Sequence, residues 1–501
     1  MARGAGALRT VLPLAFRVAF LIALAAVVPA PAEPPTTQVI TYHANDARTG
    51  DFVVPSLTSS RARNLHPDTR FRPSIQGHIY AQPLYWSGGR GRAMLLIATE
   101  NDTLYALDAA TGKTIWQRTL GRPVPLASLP CGDIDPLGVT GTPVIDSTRR
   151  AVYLDALVRS GGSAAPRHEL FGLSLANGAT LAGWPVDVAS ALARQGERFH
   201  TRVQGERGAL LILGDTLYVP YGGLDGDCGR YHGWVVSTRL SHPGTVRSWH
   251  TTALAGGIWA PGGVSSDGRS LYVSTGNTMH ASSWGGGEAV IRLPASLHFS
   301  ARPANFFAPR DWKVLDERDA DLGGVAPVVF DVGGAPYALA LGKDGNAYLL
   351  ERDDLGGIGG ARLTRHVSDS QIRTAPAEFP VPGGAMIAFE GPGSACPGAR
   401  RGDLTVLKVW AGPAPRITTA WCGAVRGRGA PIVTTTDGQS DPIVWMLGAE
   451  GDERLYGFGG DSGKQLFVSA PLPGLRHFQT LIATQRHLYV AADDAVFAFS
   501  F

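Results

Sequence analysis

The stretch 95–116, LLIATENDTLYALDAATGKTIW, constrains the fold more than any other part of the chain. Apolar runs at Leu95–Ala98 and Leu104–Asp108 flank a polar turn, and Thr111–Lys113 leads into a third run that begins at Ile115. Short apolar runs bounded by Asn, Asp and Gly predict β-strands joined by tight turns. One small meander cannot bury both of its faces, so the stretch requires neighbours of the same kind.

Weaker copies of this plan recur along the chain. They lie at Ala151–Leu154, Thr216–Val219, Ser270–Gly276, Ala340–Leu350, Trp445–Phe458 and Leu481–Phe499. Units of several strands repeating about every 40–50 residues predict a β-propeller rather than a β-sandwich. We find no long helical periodicity after the N-terminus, and the 64 Gly and 35 Pro residues fit a chain rich in turns.

Residues Ala98–Trp116 resemble the repeat of the pyrroloquinoline-quinone-type (PQQ-like) propeller family, A-x-D-G-x-L-Y-A-L-D-x-x-T-G-x-x-x-W, with Asn101-Asp102 where Asp-Gly is usual. The resemblance covers most of the chain from about His78 to Phe501. It implies the fold, and it implies that the repeat's Trp packs between blades. It says less about activity, because the repeat is structural.

The fold class that follows is all-β, a propeller of four-stranded blades, most simply eight and alternatively seven. Residues such as Gln82-Pro83 and Thr142-Pro143 open several units, where small residues fit near the axis and Pro is tolerated at a strand start. Ring closure should come from strand Asp68–Ile75, paired with the C-terminal strands. We expect the blades at about 78–120, 140–188, 209–252, 259–309, 324–367, 385–421, 430–468 and 477–501.

The N-terminus has the pattern of a secretory signal peptide. Arg3, Arg9 and Arg17 precede the apolar run Val18–Val28, and cleavage is expected after Ala32. The expected divisions are a signal peptide at 1–32, a lead-in at 33–67 and the propeller at 68–501. The protein is therefore predicted to be exported to the periplasm or the extracellular space, with an uncleaved anchor as the alternative and no membrane span after cleavage.

The four cysteines favour disulfides, because an even count in an exported chain usually means pairing. Cys131 and Cys228 lie in long loops of successive units, and Cys396 and Cys422 bracket one unit. We expect these two pairs, with buried free thiols as the alternative. No two cysteines have the C-x-x-C spacing of a metal site.

The net charge of +3 favours no particular partner, and no basic run interleaved with aromatic residues indicates nucleic acid. We expect a monomer. Four long polar loops could carry function, at 122–139, 194–207, 221–234 and 276–288. In the third loop, Asp225 and Asp227 are candidate Ca²⁺ ligands, and Asp225 and His232 are candidate catalytic residues. The alternative is that this loop is only a shaped turn.

A second candidate set comes from the family resemblance. Quinone-dependent dehydrogenases of this superfamily hold PQQ over the channel on a Trp, beside a Ca²⁺ ion and a catalytic Asp. The resemblance implies candidate cofactor residues Trp259, Asn277, Glu288 and Lys343, with Glu288 also a candidate metal ligand and Asp321 in the same group. Asp344 is a candidate base, or simply part of the repeat's turn. The adjacent cysteine pair usual in those enzymes is missing.

Three functions follow as hypotheses. The first is an exported propeller that binds a protein or small-molecule ligand through its loop-rich rim, with catalysis not evident. The second is a periplasmic PQQ- and Ca²⁺-dependent dehydrogenase oxidising alcohols or sugars. The third is a scaffold in outer-membrane protein assembly, which lacks the expected lipid-attachment cysteine.

Overall fold

The structure is a computed structural model. It describes residues 34–88, 92–159, 165–398, 402–410, 412 and 414–501, together with residues 1, 2, 4 and 6. Contacts divide the chain into two units, Met1–Ala32 and Glu33–Phe501. The expected signal peptide falls almost wholly outside the described residues. Within the described part of the chain, no helix is long and apolar enough to cross a membrane.

The described strands of the second unit form eight small sheets arranged in a ring, which confirms the eight-bladed propeller. The four main strands of each blade pair antiparallel, with the first strand innermost and the fourth outermost. The strands of blades 1 to 4 are Leu84–Trp86, Met94–Thr99, Thr103–Asp108 and Thr114–Thr119; Val144–Asp146, Ala151–Arg159, Arg167–Ser174 and Val186–Asp187; Leu211–Leu213, Thr216–Gly223, Trp234–Arg239 and Val246–His250; Ser265–Ser266, Ser270–Thr275, Ala289–Pro294 and Phe306–Ala308.

The second half of the ring repeats this plan. The strands of blades 5 to 8 are Val328–Val332, Ala335–Leu341, Asn346–Glu351 and Leu363–His366; Ala377–Val381, Gly384–Glu390, Leu404–Trp410 and Arg416–Gly423; Ile432–Thr435, Ile443–Leu447, Leu455–Gly459 and Gln465–Val468; Leu481–Ala483, His487–Ala492, Ala495–Ser500 and His66–Pro67. Blade 6 begins at Ala377, earlier than the expected Ala385. Pro380 hid this strand in the sequence, and an innermost edge strand tolerates Pro.

Short strands, helices and turns add to the eight blades or lie in the loops between strands. Four further strands add to blades 2, 3, 4 and 7, and three short α-helices and five 3₁₀ turns lie among the described loops. The added strands are Arg122–Pro123, Gln204–Gly205, Gly357–Ile358 and Asp51–Val53; the helices are Ser59–Ala62, Val188–Ala193 and Trp312–Arg318; the turns are Tyr42–Ala44, Leu126–Ser128, Thr201–Val203, Pro303–Asn305 and Leu322–Gly324.

The turn chemistry of blade 1 explains why its sequence stands out. Asp102 takes a positive φ of 54°, the conformation that Gly supplies in the usual repeat and that Asp tolerates. The Asp108 carboxylate accepts hydrogen bonds from Ala110 N, Thr111 N and Thr111 Oγ1, which closes the next turn. Gly112, at φ 74°, has the Arg72–Pro73 backbone 2.6 Å from where a Cβ would lie. These positions favour the two tight turns that the sequence predicts in this blade.

The hydrophobic core lies between blades. One buried cluster joins blades 1 and 2, the next joins blades 2 and 3, and the series continues around the ring to a cluster shared by blades 7, 8 and 1. Trp116 of blade 1 reaches blade 2, where its Nε1 donates to Leu175 O at 3.0 Å. Trp421 likewise bonds Gly460 O of blade 7 at 2.6 Å. The expected packing of the repeat's Trp between blades is confirmed.

The ring closes with an N-terminal strand in the last blade, as expected, but the residues are His66–Pro67. They pair with Ser500 and Phe499, and Asp68 N adds one bond to Ala498 O. The prediction of a closing strand at Asp68–Ile75 is wrong. The Asp68 carboxylate accepts from Arg70 N and Nε at 3.0 Å, and Phe71 N bonds Asp68 O, so the chain turns away from the sheet edge here.

Residues Val39–Val54, here called the axial segment, fill one end of the central channel. Tyr42 is buried against Ala209, Ala375 and Ala430, small residues that precede the inner strands of three blades. His43 stacks on Tyr42 with ring centroids 4.3 Å apart. The lead-in expected to lie over the propeller therefore enters it and closes the channel on that side.

The axial segment hydrogen-bonds around the whole ring. Its carbonyls accept from inner-strand amides of blades 2, 4, 5, 6 and 7, Val39 pairs with blade 1, and Arg48 reaches blades 3 and 4. The Val53 carbonyl accepts from the Gln485 side chain of blade 8. The inner edges of a propeller would otherwise carry unpaired backbone groups, so this segment satisfies groups that eight separate blades leave open.

Candidate functional site

The four long loops expected from the sequence gather on one face, here called the upper rim, where the second strand of each blade ends. The Cys131–Cys228 disulfide ties the first loop to the third, and the Cys396–Cys422 disulfide is also present, so both expected pairs are confirmed. Gln204 of the second loop donates to His232 O and accepts from His232 N. These cross-links hold loops of blades 1 to 3 in one surface.

A row of cationic and aromatic side chains crosses the upper rim near the axis. Lys343 Nζ lies 5.3 Å from the ring centroid of Trp259. Trp259 and Phe478 have centroids 6.4 Å apart, and the Arg207 guanidinium lies 5.9 Å from the Phe478 ring. All four side chains are partly exposed. This row, Lys343–Trp259–Phe478–Arg207, is called the axial row below.

Lys343 is held at one end of the axial row by two carboxylates. Its Nζ contacts Asp319 Oδ1 at 2.8 Å and Asp321 Oδ2 at 2.6 Å, and its side chain is only 10% exposed. Burial acts to lower the pKa of Lys343, but the Asp321 and Asp319 carboxylates outweigh it and raise that pKa. The ammonium is therefore a permanent positive charge beside Trp259.

Hydrogen bonds from backbone amides connect Asn277 and Glu288 to this cluster. Asn277 N donates to Asp321 Oδ1 at 2.8 Å, and the buried Glu288 accepts from Leu322 N at 2.8 Å. Burial raises the pKa of Glu288 well above its usual range, and Asp321 adds to that rise. Of the residues implied by the family resemblance, Trp259, Asn277 and Lys343 converge around Asp321, while Glu288 lies behind them in the protein.

The third loop is folded onto its own backbone. Asp227 accepts a short hydrogen bond from the Tyr231 hydroxyl, and burial raises the pKa of Asp227. His232 Nδ1 lies 2.9 Å from the carbonyls of Thr251 and Ala253, and burial lowers the pKa of His232. These contacts support the shaped-turn alternative for both residues.

Of the remaining two candidates, Asp225 lies beside Arg207 at one end of the axial row, and Asp344 belongs to a turn of blade 5. Asp225 lines a cavity of about 30 Å³ that it shares with Glu206 and Arg207. Asp344 accepts from Asn346 N at 3.0 Å and from the Tyr348 hydroxyl, the contacts of a turn residue in blade 5. Neither carboxylate contacts Lys343 or Trp259 in the contacts that the structure describes.

The oxygen atoms around Asp321 do not fit a Ca²⁺ ion. Both Asp321 oxygens already accept hydrogen bonds, one from Asn277 N and one from the Lys343 ammonium, which takes the place of a cation. Within the described ranges, His, Cys, Asp and Glu side chains form no group of three that could hold a metal. A Ca²⁺ site of the expected kind would need Lys343 to move away from Asp321.

The axial row fits an organic anion with a flat ring better than it fits a metal. Arg373 and Arg428 lie beside the row; burial raises the pKa of the nearby Glu390 carboxyl, and the charges of these two arginines oppose that rise. Phe478 N donates to the carbonyl of Arg428, and the Arg373 backbone lies near Gly324, which packs on Trp259. Rings stack on partly exposed aromatic faces, and guanidinium groups hold carboxylates.

Several of these residues gave no signal in the sequence. Phe478 follows His477 in an ordinary loop, and Asp319 is the left-handed C-cap of helix Trp312–Arg318. A buried network in blades 2 and 3 was also missed. In it, the His168 ring lies 2.7 Å from Asp155, which accepts from the Tyr221 hydroxyl at 2.9 Å. All three side chains of that network are buried, away from the upper rim surface.

No family model and no curated protein matches the chain. Solved structures do match it. The quinohemoprotein alcohol dehydrogenase from Comamonas testosteroni is 12% identical, with a TM-score of 0.61 over 93% of this chain and 81% of that one. A europium-containing methanol dehydrogenase is 15% identical, with a TM-score of 0.60 over 92% of this chain and 90% of that one.

BamB from Moraxella catarrhalis also matches, at 15% identity and a TM-score of 0.49 over 87% of this chain and 98% of that one. A likeness this distant carries no argument about function. The two dehydrogenase structures show the fold, which is that of the PQQ-like propellers, as the repeat at Ala98–Trp116 implies. At these identities the fold alone is shared, and function must be argued from the site.

Proposed function

We propose that this chain is an exported binding protein that holds a planar organic anion on the axial row of its upper rim. The observation that carries the proposal is the Trp259 ring, partly exposed between Phe478 and the Lys343 ammonium. A flat aromatic ligand would stack against these rings. Its acidic groups would meet the guanidinium groups of Arg428 and Arg373, whose charges also act on the buried Glu390.

Export is part of the proposal. Two disulfides join described residues, and such bonds persist in oxidising compartments. The N-terminal sequence adds the pattern of a signal peptide. The periplasm or the extracellular space satisfies both observations. Detection of mature protein beginning after Ala32 in a culture supernatant or periplasmic extract would support export, and retention of residues 1–32 in a membrane fraction would oppose it.

The binding test uses pyrroloquinoline quinone as the probe, since it is planar and carries several carboxylates. We expect saturable quenching of tryptophan fluorescence without added Ca²⁺. Trp259→Leu should weaken binding roughly tenfold, because one stacked ring contributes about 1–1.5 kcal/mol. Arg428→Gln should weaken it several-fold.

Trp410→Leu is the matched control. Trp410 also lies under a cation, with Lys408 Nζ 3.8 Å from its ring centroid, but it belongs to the outer part of blade 6. Unchanged affinity in this variant, with loss in Trp259→Leu, would place the ligand on the axial row. Equal affinity in wild type and Trp259→Leu would refute the proposal.

A PQQ-dependent dehydrogenase is the second candidate function. It is favoured by the convergence of Trp259, Asn277 and Lys343 around Asp321, the set that the family resemblance implies. Bound quinone would supply the oxidising group, and Asp321 could accept a proton from an alcohol only after releasing Lys343. A dye-linked assay over alcohols and sugars, with quinone and Ca²⁺, tests it. Dehydrogenase activity that is lost in Asp321→Asn would support an enzyme. Quinone binding without turnover would instead favour the binding-protein proposal.

A further inference from the structure

A second cavity lies on the face opposite the axial row. It has a volume of about 780 Å³ and sits between blades 8 and 1. Its walls come from the turns at the start of the second strands, including Ala93 and Gln485, and from Ala109–Thr111 of blade 1. The upper rim lies at the other ends of these strands, so the cavity is separate from the axial row.

Aromatic side chains line part of this cavity, and hydrogen bonds hold two of its lining side chains in place. Tyr85, Tyr489 and Phe501 line it. The Tyr489 hydroxyl donates to Ala109 O at 2.6 Å, which joins blade 8 to blade 1. His487 is held between the Tyr489 hydroxyl at 3.2 Å and Asp68 at 3.0 Å. The side of the cavity formed by Tyr489 and His487 therefore needs little reorganisation to meet a ligand, which favours binding.

The charged side chains of the cavity are all arginines. Arg61, Arg70 and Arg486 line it, and no Asp or Glu side chain does. Arg70 is committed to Asp68, with Nη2 2.8 Å from Oδ2. Arg61 and Arg486 are exposed and form no ion pair with any described residue. Arg61 and Arg486 thus line the cavity, and neither has an ion-pair partner among the described residues.

We propose that this cavity binds a small aromatic anion, an aryl carboxylate or a similar acid, with its ring between Tyr85 and Phe501 and its acidic group on Arg61 and Arg486. The volume is in the range of small-molecule sites, which are mostly apolar with a few placed polar groups. Arginine matches a carboxylate with two parallel hydrogen bonds. The ligand class follows from this pairing of rings with unpaired guanidinium groups.

The test uses 2-naphthoate, with neutral 2-naphthol as the matched probe. Calorimetric titrations are made in the Trp259→Leu background, in which any binding at the axial row is weakened, and the two sites are separated by the response to Arg486→Gln. We expect saturable binding of naphthoate, several-fold weaker binding of naphthol, and a loss of about three- to tenfold in affinity on Arg486→Gln. Arg61→Gln should act in the same direction.

Arg365→Gln is the control, since Arg365 is an exposed arginine of blade 5 without a described ion pair. It should leave the affinity unchanged. Binding of naphthol equal to that of naphthoate, an equal loss in Arg365→Gln, or no saturable binding would overturn the proposal. Circular dichroism of each variant confirms the fold, and both arginines are exposed, so misfolding is not expected to obscure the result.

Discussion

Replacing Arg48 by Met should destabilise the whole ring although Arg48 touches neither proposed ligand site. Its side chain is buried, and it donates four hydrogen bonds of 3.1 Å or less. Two of the acceptors are the inner-edge carbonyls Leu210 O and Val264 O. Burial lowers the pKa of Arg48 to about 10, and Asp46 opposes that shift, so the group stays charged at neutral pH.

The size of the effect follows from the acceptors left behind. Each buried acceptor without a donor costs about 1–3 kcal/mol. Met keeps much of the packing of the Arg48 side chain, and removing the cation also removes the free-energy cost of burying it. The lower end of the range per acceptor therefore applies. Four acceptors then give a loss of about 4 kcal/mol. Unfolding entropy near 2.1 cal/mol/K per residue, over roughly 470 residues, converts this to a fall in Tm of about 4 °C.

Thermal unfolding followed by circular dichroism measures the change. Arg48→Lys should also be destabilised, because an ammonium cannot reach acceptors on several sides as the guanidinium fork does. Arg365→Met, at an exposed position of blade 5, is the control and should shift Tm by less than about 1 °C. A fall in Arg48→Met no larger than in this control would refute the idea that the axial segment holds the blades together.

Three further predictions concern other parts of the fold. Burial lowers the pKa of His43 to about 3, so stability is complete above about pH 6.5 and should fall as pH drops toward 3; His43→Asn should flatten this part of a urea-midpoint profile. Removing Cys131–Cys228 with a double Ser variant should speed tryptic cleavage of the loops 122–139 and 221–234, whereas the same change at Cys396–Cys422 should leave cleavage of those two loops unchanged. Trp116→Phe loses one hydrogen bond to blade 2 and should cost about 1 kcal/mol in chemical unfolding.

Local sequence patterns predicted much of the fold. The turns at Asp102 and Gly112 need specific backbone conformations, and Trp116 needs a neighbouring blade, so a repeat read from sequence already implied a ring. The disulfide pairs followed from which loops neighbour each other in that ring. The closing strand was misplaced because Asp68–Ile75 alternates well, while the two paired residues, His66–Pro67, are too few to show a period.

The residues of the candidate site could likewise be predicted from the sequence only in part. Trp259, Asn277 and Lys343 could be named from their resemblance to a family, but Phe478 and Arg207 join them from blades far apart in sequence, and no local pattern marks that meeting. His232 and Asp344 had the right chemistry for catalysis, and the structure turns them onto nearby backbone and turn groups. Side-chain direction decides such cases, and it depends on packing that sequence spacing does not record.

By itself, the sequence determined the repeating unit, the all-β class and the loops that could reach the rim, because strand periodicity and turn residues act within a few positions. Only the tertiary structure decided that Val39–Val54 closes the channel, that Lys343 pairs with both Asp319 and Asp321, and that a cavity lined by arginines opens between the first and last blades. Each of these arises where segments distant in the chain meet, and their contacts are set by ring closure and not by neighbouring residues.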